Sequence, residues 1–377
     1  MCFYSPYKNT FHINKAASVT YLTPGLKKAA KVAARSLAPG KPHHAQWMIT
    51  RKCNYRCKGC NIWQEQDKKE LTTEEIKRGL DILEKLGIVE VVLSGGDPLL
   101  RDDAKEIIEY ASKRFVTTVY DNGSMAAKKI DALRTVDFAA ISIDSLDPAK
   151  NDYIRGIEGA YAKAIETVEK LHNEGINVAV TPTISQMNLN EIIDITNHFT
   201  GKGIPVWYCL YSFDHSADSE QLFRIGKAKD EFIITDKKAM VDLCNSLIEM
   251  KKKNNKILMT TKILKALRDY YAQNRRTWNC LALQNFLVIN HNGRIAGCHI
   301  HNSAASIFDL PKMWKSSEFR KLRKTYRSCT ECTYLCYIFY SLHAGPYGNL
   351  TLAKDQWRNS KLLLKEKTKP PSLAETR

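Results

Sequence analysis

The chain has 377 residues, of which 44% are hydrophobic and 26% charged, so it is long enough for about two domains with full cores. It contains no run of about 18 apolar residues, which argues against a membrane-spanning helix. Lys and Arg number 57 against 40 Asp and Glu. The resulting charge of +17 favours an anionic partner: a nucleic acid, a phosphorylated substrate, a peptide or a membrane surface.

The eleven cysteines are unevenly spaced along the chain. Three lie between residues 53 and 60, and five lie between 280 and 336. A secreted disulfide scaffold is typically a short chain with cysteines spread along its whole length, so this pattern argues against one. The first residues also lack the basic-then-apolar order of a signal peptide. We therefore expect a reducing, cytoplasmic location and thiolates that bind metal.

The N-terminal part of the chain is strongly basic. Residues 1–64 contain eleven Lys or Arg and no Asp or Glu. Within them, 25–39 is predicted to form a short amphipathic helix, because apolar and basic residues fall on opposite faces at about 100° per residue. Such a helix either packs on the rest of the protein or contacts an anionic membrane surface peripherally. Its apolar face is mostly Ala, which favours packing.

From residue 46 onward, short β-rich runs alternate with helical patterns. Six strands are predicted, at 46–51, 89–94, 116–121, 137–144, 177–185 and 204–211. Five helices are predicted between them, near 72–86, 103–114, 126–135, 159–174 and 190–201. Such β–α repeats imply parallel strands, whose C-terminal ends carry the chemistry. Eight repeats would close a barrel, so the expected fold class is α/β, with an open, partial (β/α)6 barrel of the TIM type.

The same pattern divides the chain into five regions. A basic extension at 1–45 precedes the barrel at 46–235, and a helical linker follows at 236–279. Residues 280–340 lose the β–α alternation and gain cysteines, which predicts a small module built around a metal site. Residues 341–377 are expected to form a C-terminal tail.

Cys53, Cys57 and Cys60 form a C-x3-C-x2-C loop directly after the first predicted strand. Three thiolates on so short a loop can bind three irons of a [4Fe–4S] cluster, which leaves the fourth iron open to an amine and a carboxylate. A three-cysteine zinc site is the alternative, although structural zinc normally takes four ligands in paired spacing.

The loop resembles that of the radical S-adenosylmethionine (SAM) superfamily, and further family motifs follow in order. Residues 94–98 read SGGDP and resemble the family's GGE/DP motif, whose backbone meets the methionine amine of SAM. Residues 121–124 resemble its TNG motif, while 142–148 and 153–156 resemble segments that hold the ribose and carboxylate of SAM. The resemblance implies that SAM is bound by Gly95, Gly96, Asp97, Pro98, Asn122, Ser142, Asp144 and Arg155.

The resemblance also implies the reaction class. Members of the family cleave SAM reductively to a 5′-deoxyadenosyl radical, which abstracts hydrogen from an unreactive C–H bond. Cys53, Cys57 and Cys60 are then the catalytic residues, because they hold the cluster that supplies the electron. A low-potential donor such as ferredoxin or flavodoxin is expected as a partner.

One position departs from the family pattern. The family often has an aromatic residue just before the third cysteine, beside the adenine, and here that residue is Gly59. Trp63 and Tyr55 are the candidates to supply this surface.

Cys280 precedes a predicted hairpin at 286–298. Asn292 and Gly293 predict a type I′ turn, because both residues tolerate positive φ. The hairpin is expected to bring Cys280 close to Cys298.

A helical stretch at 314–326 leads into Cys329, Cys332 and Cys336. With the hairpin, this pattern is similar to the Twitch/SPASM extension of radical SAM enzymes, which implies an auxiliary [4Fe–4S] cluster. The expected ligands are Cys280, Cys298, Cys329 and Cys332, with Cys336 as a spare fifth thiol. A four-thiolate cluster has no open iron and would relay electrons, whereas a zinc knuckle is the alternative for the same residues.

Three classes of function stay open at this point. The first is net oxidation of a small molecule or peptide, by dehydrogenation or peptide modification. The second is radical addition or C–C bond formation on a lipid or sugar at a membrane surface. The third is a non-catalytic iron–sulfur or zinc protein that binds nucleic acid. The SAM motifs argue against this last class, so no nucleic-acid partner is expected.

Overall fold

The computed structural model describes residues 28, 30–32, 34–35, 42–64, 69–211, 231–297, 302–330 and 333–356. Within these residues no helix is long and apolar enough to cross a membrane. The strands in chain order are β1 (His44–Thr50), β2 (Glu90–Gly95), β3 (Val116–Asp121), β4 (Phe138–Ile141), β5 (Val178–Val180), β6 (Thr183–Ile184), β7 (Cys209–Leu210), β8 (Phe286–Ile289), β9 (Arg294–Ala296) and β10 (Asn302–Ser306).

The helices alternate with the first seven strands and then dominate the C-terminal half. In chain order they are α1 (Thr73–Leu86), α2 (Ala104–Ser112), α3 (Ile130–Leu133), α4 (Pro148–Arg155), α5 (Ala160–Asn173), α6 (Ile192–Gly201), α7 (Lys237–Lys253), α8 (Thr261–Gln273), α9 (Leu310–Met313), α10 (Ser317–Ser328), α11 (Leu335–Leu342) and α12 (Gly345–Gln356).

The predicted parallel barrel strands are present. Strands β1 to β5 pair in parallel in chain order, and β6 pairs in parallel with β7. The predicted strand at 177–185 is split, because Pro182 lacks the N–H that a ladder needs. A parallel bridge from Val180 to Val206 carries the sheet across this break. The expected α/β fold with a partial barrel is confirmed.

Helix α4 was not predicted. Asp147 caps it by accepting hydrogen bonds from the N–H groups of Ala149 (2.9 Å) and Lys150 (3.4 Å), and Pro148 occupies its first turn. The helix ends after eight residues at Gly156, where φ is +66°. An Asp-Pro pair before a short helical run is a start signal that sequence analysis could have used.

The C-terminal half continues the barrel sheet. Strand β8 pairs in parallel with β1, and β9 and β10 extend the same sheet in antiparallel order. Helix α11 then contacts both sides of the barrel opening: Tyr340 stacks on His44 of β1 (ring centroids 3.9 Å apart), and Phe339 meets Trp207 edge-on (5.4 Å). This helix therefore spans the gap between the first and last barrel strands.

The hairpin forms, but its predicted type I′ turn is wrong. Such a turn needs positive φ at both Asn292 and Gly293, and of these two only Gly293 has it, at +80°. The N–H of Gly293 donates to the carbonyl of Asn290 (3.0 Å), and the side chain of Asn290 accepts from the N–H of Arg294 (2.8 Å). The turn is thus a three-residue loop closed by a left-handed glycine.

The described part of the basic N-terminal segment is helical and packs on the barrel. Lys28 is buried and pairs with Asp137 (2.5 Å), while Arg35 donates to the carbonyl of Leu86 (3.0 Å). These contacts fit the packed interpretation of the segment, because they turn its cations toward the protein. At the other end of the chain, the region predicted as a tail contains α12, where Asp355 pairs with Lys251 (2.9 Å).

Candidate active site

The cysteine loop begins where β1 ends, and a polar network fixes that point. The hydroxyl of Thr50 and the N–H of Arg51 both donate to the carboxylate of Glu70, at 2.6 and 2.8 Å. The buried guanidinium of Arg101 donates to the carbonyl of Ile49 (3.0 Å) and pairs with Glu70 (3.3 Å). Sequence analysis missed Glu70 and Arg101, because neither belongs to a motif.

The two glycines of the SGGDP motif lie directly against the loop backbone. The N–H groups of Gly96 and Asp97 donate to the carbonyls of Thr50 (2.9 Å) and Lys52 (2.7 Å). A Cβ on Gly95 would lie 2.2 Å from the Thr50 oxygen, and one on Gly96 would lie 2.2 Å from the Lys52 oxygen. These glycines therefore admit the cluster loop itself, a reason that differs from the expected approach of a ligand.

The end of α4 holds the loop from the opposite side. The N–H of Lys58 donates to the carbonyl of Ile154 (3.0 Å). A Cβ on Gly156 would lie only 1.9 Å from the carbonyl oxygen of Arg56, so glycine is required there for close packing as well as for its positive φ. The loop is thus clamped between the SGGDP turn and α4.

The three thiols lie within electrostatic reach of one another. Burial raises the pKa of Cys53 to about 11 and that of Cys60 to about 12, and a charge on Cys57 raises both further. The thiols are therefore protonated near neutral pH, and metal binding must displace their protons. Among the described residues, no three Cys, His, Asp or Glu side chains are placed to hold a single metal ion.

Arg155 supplies a positive charge next to these thiols. Burial opposes that charge, but the neighbouring Cys57 thiolate and Asp144 carboxylate raise the pKa of Arg155. Its guanidinium donates to Asp144 (3.1 Å), and its Nε is buried without a hydrogen-bond partner in the described structure. The site thus holds a fixed cation that suits a negatively charged cluster or a carboxylate.

Asp144 is fixed in turn by the neighbouring strand ends. It accepts a hydrogen bond from the N–H of Thr183 (2.7 Å), and its own N–H donates to the side chain of Asn151 (3.0 Å). Asn188 donates to its carbonyl (2.8 Å). The half-buried Ser142 lies two residues earlier, at the end of β4. Asn151 and Asn188 are further supports that sequence analysis missed.

Asp97 and Asn122 serve the backbone of the site. Asp97 is fully buried and accepts from the N–H groups of Leu99 (2.9 Å) and Asn122 (3.3 Å), so it caps the short 3₁₀ helix that begins at Pro98. The side chain of Asn122 donates to Asn54 in the cluster loop (2.8 Å). These two residues lie at the predicted place, but their observed contacts are with the protein.

A buried carboxyl pair lies beneath this turn. Burial, followed by the nearby charge of Asp97, raises the pKa of Asp121 well above its usual range. Two carboxyl groups this close disfavour each other's ionisation, so the pair favours a proton more than isolated carboxyl groups do. The N–H of Gly123 donates to Asp121 (2.6 Å), which fixes the turn after β3.

Polar atoms around the loop are buried without partners in the described structure: Ser94 Oγ, Tyr55 Oη and Arg155 Nε. Ser94 lies on β2 next to the glycines, and Arg155 faces the thiols. Unpaired buried polar groups are costly, so they indicate a site that a polar ligand completes. The residues present therefore fit a cluster with SAM beside it.

In the second cysteine group, the structure places Cys280 and Cys329 together. Burial raises the pKa of the Cys280 thiol, and a charge on Cys329 raises it further. Arg276 donates to the carbonyl of Cys329 (3.1 Å). Cys298 and Cys332 lie outside the described residues. Of this group, Cys280 and Cys329 therefore lie within electrostatic reach of each other.

Cys336 is placed differently. It lies on α11, which packs on β7, and its charge is the largest cause after burial of the raised pKa of Cys209. Both thiols also contribute to the raised pKa of Tyr120 on β3. The structure therefore brings Cys336 to the inner side of the barrel, beside a cysteine of β7.

Comparison with known proteins matches both halves of the chain. Residues 47–199 match the radical SAM superfamily, and residues 280–333 match the SPASM iron–sulfur cluster-binding domain. The chain is 26% identical over 315 residues to an AdoMet-dependent heme synthase of Nitratidesulfovibrio vulgaris, covering 77% of this chain and 84% of that protein. It is 29% identical to the mycofactocin maturase MftC of Mycolicibacterium smegmatis, over 39% of this chain and 38% of the relative.

Solved structures share the fold. SuiB of Streptococcus suis superposes with a TM-score of 0.60 at 16% identity, covering 86% of this chain and 77% of SuiB. The anSMEcpe structure with bound AdoMet has a TM-score of 0.58 at 11% identity, covering 85% of this chain and 98% of that one. The radical SAM and SPASM domains imply [4Fe–4S] clusters and SAM as cofactors. The SPASM match therefore favours a cluster over zinc at the second cysteine group. The chain is a member of the radical SAM superfamily, an enzyme with a C-terminal SPASM-type domain.

Proposed function

We propose that this enzyme uses SAM and the cluster bound by Cys53, Cys57 and Cys60 to remove a hydrogen atom from a substrate C–H bond. An auxiliary cluster would then accept an electron from the substrate, so that the net reaction is an oxidation. The observation that supports the first step is the clamped loop, in which three half-buried cysteines lie within electrostatic reach of the cation of Arg155.

The division of labour follows from these contacts. When bound, the cluster supplies the low-potential electron that cleaves SAM to methionine and a 5′-deoxyadenosyl radical. Arg155, held by Asp144, offsets the negative charge gathered at the thiolates. Ser94 and Tyr55 offer unpaired polar atoms to SAM. Asp97 acts as a positioning residue, because its carboxylate accepts hydrogen bonds from the backbone N–H groups of Leu99 and Asn122.

The SAM-binding surface is proposed to be the rim that these residues form. Its members are Gly95, Gly96, Asp97, Pro98, Asn122, Ser142, Asp144 and Arg155. They follow β2, β3 and β4 or lie on α4, so the parallel strands deliver them to one edge of the barrel.

The auxiliary cluster is proposed to be held by Cys280, Cys298, Cys329 and Cys332. The meeting of Cys280 with Cys329 supports this set. Four thiolates leave no open iron, so the role of this cluster is electron transfer. Cys336, whose charge affects the pKa of Cys209, is left outside the proposed set as the spare fifth thiol. A ferredoxin or flavodoxin is proposed as the electron donor to the enzyme.

A carboxylate-bearing tetrapyrrole is the substrate class that we favour. The likeness to the heme synthase covers 77% of this chain and so extends beyond the barrel, whereas the likeness to the maturase covers 39%. The net charge of +17 also suits a polyanionic substrate. A peptide is the second candidate, because peptide-maturing enzymes are among the relatives.

The test is an anaerobic assay of the reconstituted enzyme with SAM and a chemical reductant. The proposal predicts 5′-deoxyadenosine from the wild type and none from Cys57→Ala. Iron coproporphyrin III is then added, and its mass is followed by mass spectrometry. A mass change in step with 5′-deoxyadenosine supports the tetrapyrrole. An unchanged tetrapyrrole, with SAM cleavage intact, moves the proposal to peptides.

A further inference from the structure

The residue before the third cysteine of the loop is a glycine, and the space beside it is filled from another element. A Cβ on Gly59 would lie 2.7 Å from Cε2 of Tyr211, closer than nonbonded carbon atoms approach. The ring of Tyr211 therefore occupies the space that a side chain at position 59 would enter. Glycine is the only residue type without a Cβ, so only glycine fits at position 59 under this ring in the observed arrangement.

Tyr211 is held in place from several directions. It directly follows β7, and its N–H donates to the carbonyl of Ile184 (2.8 Å). Its ring packs on Phe232, with centroids 5.3 Å apart, and belongs to the same apolar cluster as Ile154. Ile154 in turn accepts a hydrogen bond from Lys58 of the cluster loop. The ring is thus fixed between a barrel strand and the loop.

The two aromatic residues suggested by the sequence have other contacts. Tyr55 is 1% exposed, and its ring lies 6.0 Å from the guanidinium of Arg155. Trp63 donates to the carbonyl of Cys57 (3.4 Å) and carries the guanidinium of Arg56 over its ring (5.1 Å). Both side chains shape the loop itself.

We propose that Tyr211 supplies, from the end of β7, the aromatic surface against which the adenine of SAM packs. An aromatic ring stacks on a base equally well whichever chain segment delivers it, because the interaction depends on the π-face. Compared with the family pattern, the aromatic side chain has then changed position: Gly59 in the loop has none, and Tyr211 after β7 provides it. This inference rests on the proposed binding of SAM.

The experiment measures the affinity of the reconstituted enzyme for SAM and for S-adenosylhomocysteine by equilibrium dialysis. Tyr211→Leu is expected to weaken both about tenfold, since base–aromatic stacking commonly contributes a factor of this order. Tyr211→Phe is expected to stay within about twofold. Iron content should be unchanged in both variants, and Tyr347→Leu, at an exposed position, is the matched control.

A rescue variant tests this change of position directly. Gly59→Phe alone is expected to bind poorly, because its side chain meets the Tyr211 ring. Gly59→Phe combined with Tyr211→Ala should recover affinity to within about threefold of the wild type. Recovery supports the change of position, and a double variant no tighter than Tyr211→Leu overturns it.

Other outcomes also decide the question. If Tyr211→Leu binds both ligands as the wild type does, the inference is wrong even if the variant is less stable. If Tyr211→Leu does not fold, Gly59→Ala takes its place: weaker binding supports the contact with adenine and unchanged binding overturns it. A wild-type enzyme that binds neither ligand would instead reject the proposed function.

Discussion

The two cysteine groups of this enzyme are held together in different ways. Cys53, Cys57 and Cys60 lie on one short loop, clamped by backbone contacts to the SGGDP turn and to α4. Cys280 and Cys329 lie far apart in the chain and meet only because the hairpin and α10 fold between them. The first site therefore depends on close local packing, and the second depends on the tertiary fold of the C-terminal half.

The largest effect is expected from removing the loop thiols. Replacing Cys53, Cys57 and Cys60 together by Ala should abolish 5′-deoxyadenosine formation and lower the iron content from about eight to about four per chain. The remaining iron should belong to the auxiliary site, which has its own ligands. Iron analysis and anaerobic SAM-cleavage assays measure both effects.

A matched control for this variant is Cys244→Ala. Cys244 is buried on α7 and belongs to neither cysteine group, so its loss should leave iron and SAM cleavage unchanged. Residual SAM cleavage in the triple variant would contradict the assignment of the loop as the cluster site.

Removing the auxiliary thiols should separate SAM cleavage from product formation. The double variant Cys280→Ala/Cys329→Ala is expected to retain about four irons per chain and to cleave SAM slowly. The ratio of product to 5′-deoxyadenosine should nevertheless fall at least tenfold. The reason is that the substrate radical left by hydrogen abstraction loses its electron acceptor.

Cys336→Ala sharpens this second test. Because Cys336 lies beside Cys209, its replacement should keep about eight irons. Loss of the auxiliary cluster in Cys336→Ala would place this thiol among the ligands. An undiminished product ratio in the Cys280/Cys329 variant would make the auxiliary cluster structural, and a redox-neutral reaction would then be favoured.

The same contrast explains what the sequence could predict. The cysteine loop and the SGGDP turn are short motifs at strand ends, so local patterns and the β–α alternation were enough to place them. The helix predicted near 72–86 is present for the same reason, because a capping box of Thr72 and Glu75 begins α1. Such features can be predicted because each depends only on residues that are neighbours in the sequence.

The supports of the site carried no such signal. Glu70 and Arg101 act through contacts between segments far apart in sequence, and nothing in their neighbourhood marks them. Cys336 was grouped with the auxiliary cysteines by spacing alone, whereas α11 turns it toward β7. The reason for the glycines in the SGGDP turn was likewise hidden, because the backbone that they admit comes from another strand.

The family resemblance implies that the SGGDP glycines serve SAM, whereas their observed contacts imply that replacing them damages the cluster loop. A methyl group at position 96 would lie 2.2 Å from the carbonyl oxygen of Lys52, so Gly96→Ala must displace the loop. We expect at least about a threefold loss of iron at the first site, from a steric cost of about 1–3 kcal/mol. Gly201→Ala is the control, because a Cβ there has no atom within 4 Å. Full iron content with weaker SAM binding in Gly96→Ala would restore the original expectation.

The smallest expected effect concerns the charge of Arg155. Arg155→Gln removes the cation that faces the loop thiols, so the more negative, reduced cluster is less stabilised. Its reduction potential should become more negative by on the order of 100 mV, as expected for unit charges several ångströms apart at an effective dielectric constant of about 20. Arg155→Lys keeps the charge and should shift the potential less.

The redox titration is best followed by electron paramagnetic resonance in the Cys280→Ala/Cys329→Ala background, where only the first cluster contributes a signal. Arg155→Gln also leaves the buried Asp144 carboxylate without its partner, which costs stability by itself. Adding Asp144→Asn removes that unpaired charge and should restore stability. Because the Asp144 carboxylate also lies within electrostatic reach of Cys57, its neutralisation should move the potential part of the way back toward the wild-type value. Asp144→Asn alone, which should make the potential less negative, measures this contribution. A potential unchanged in Arg155→Gln would mean that the cation serves SAM alone, and the loop would then differ from the auxiliary site only in how its backbone is clamped.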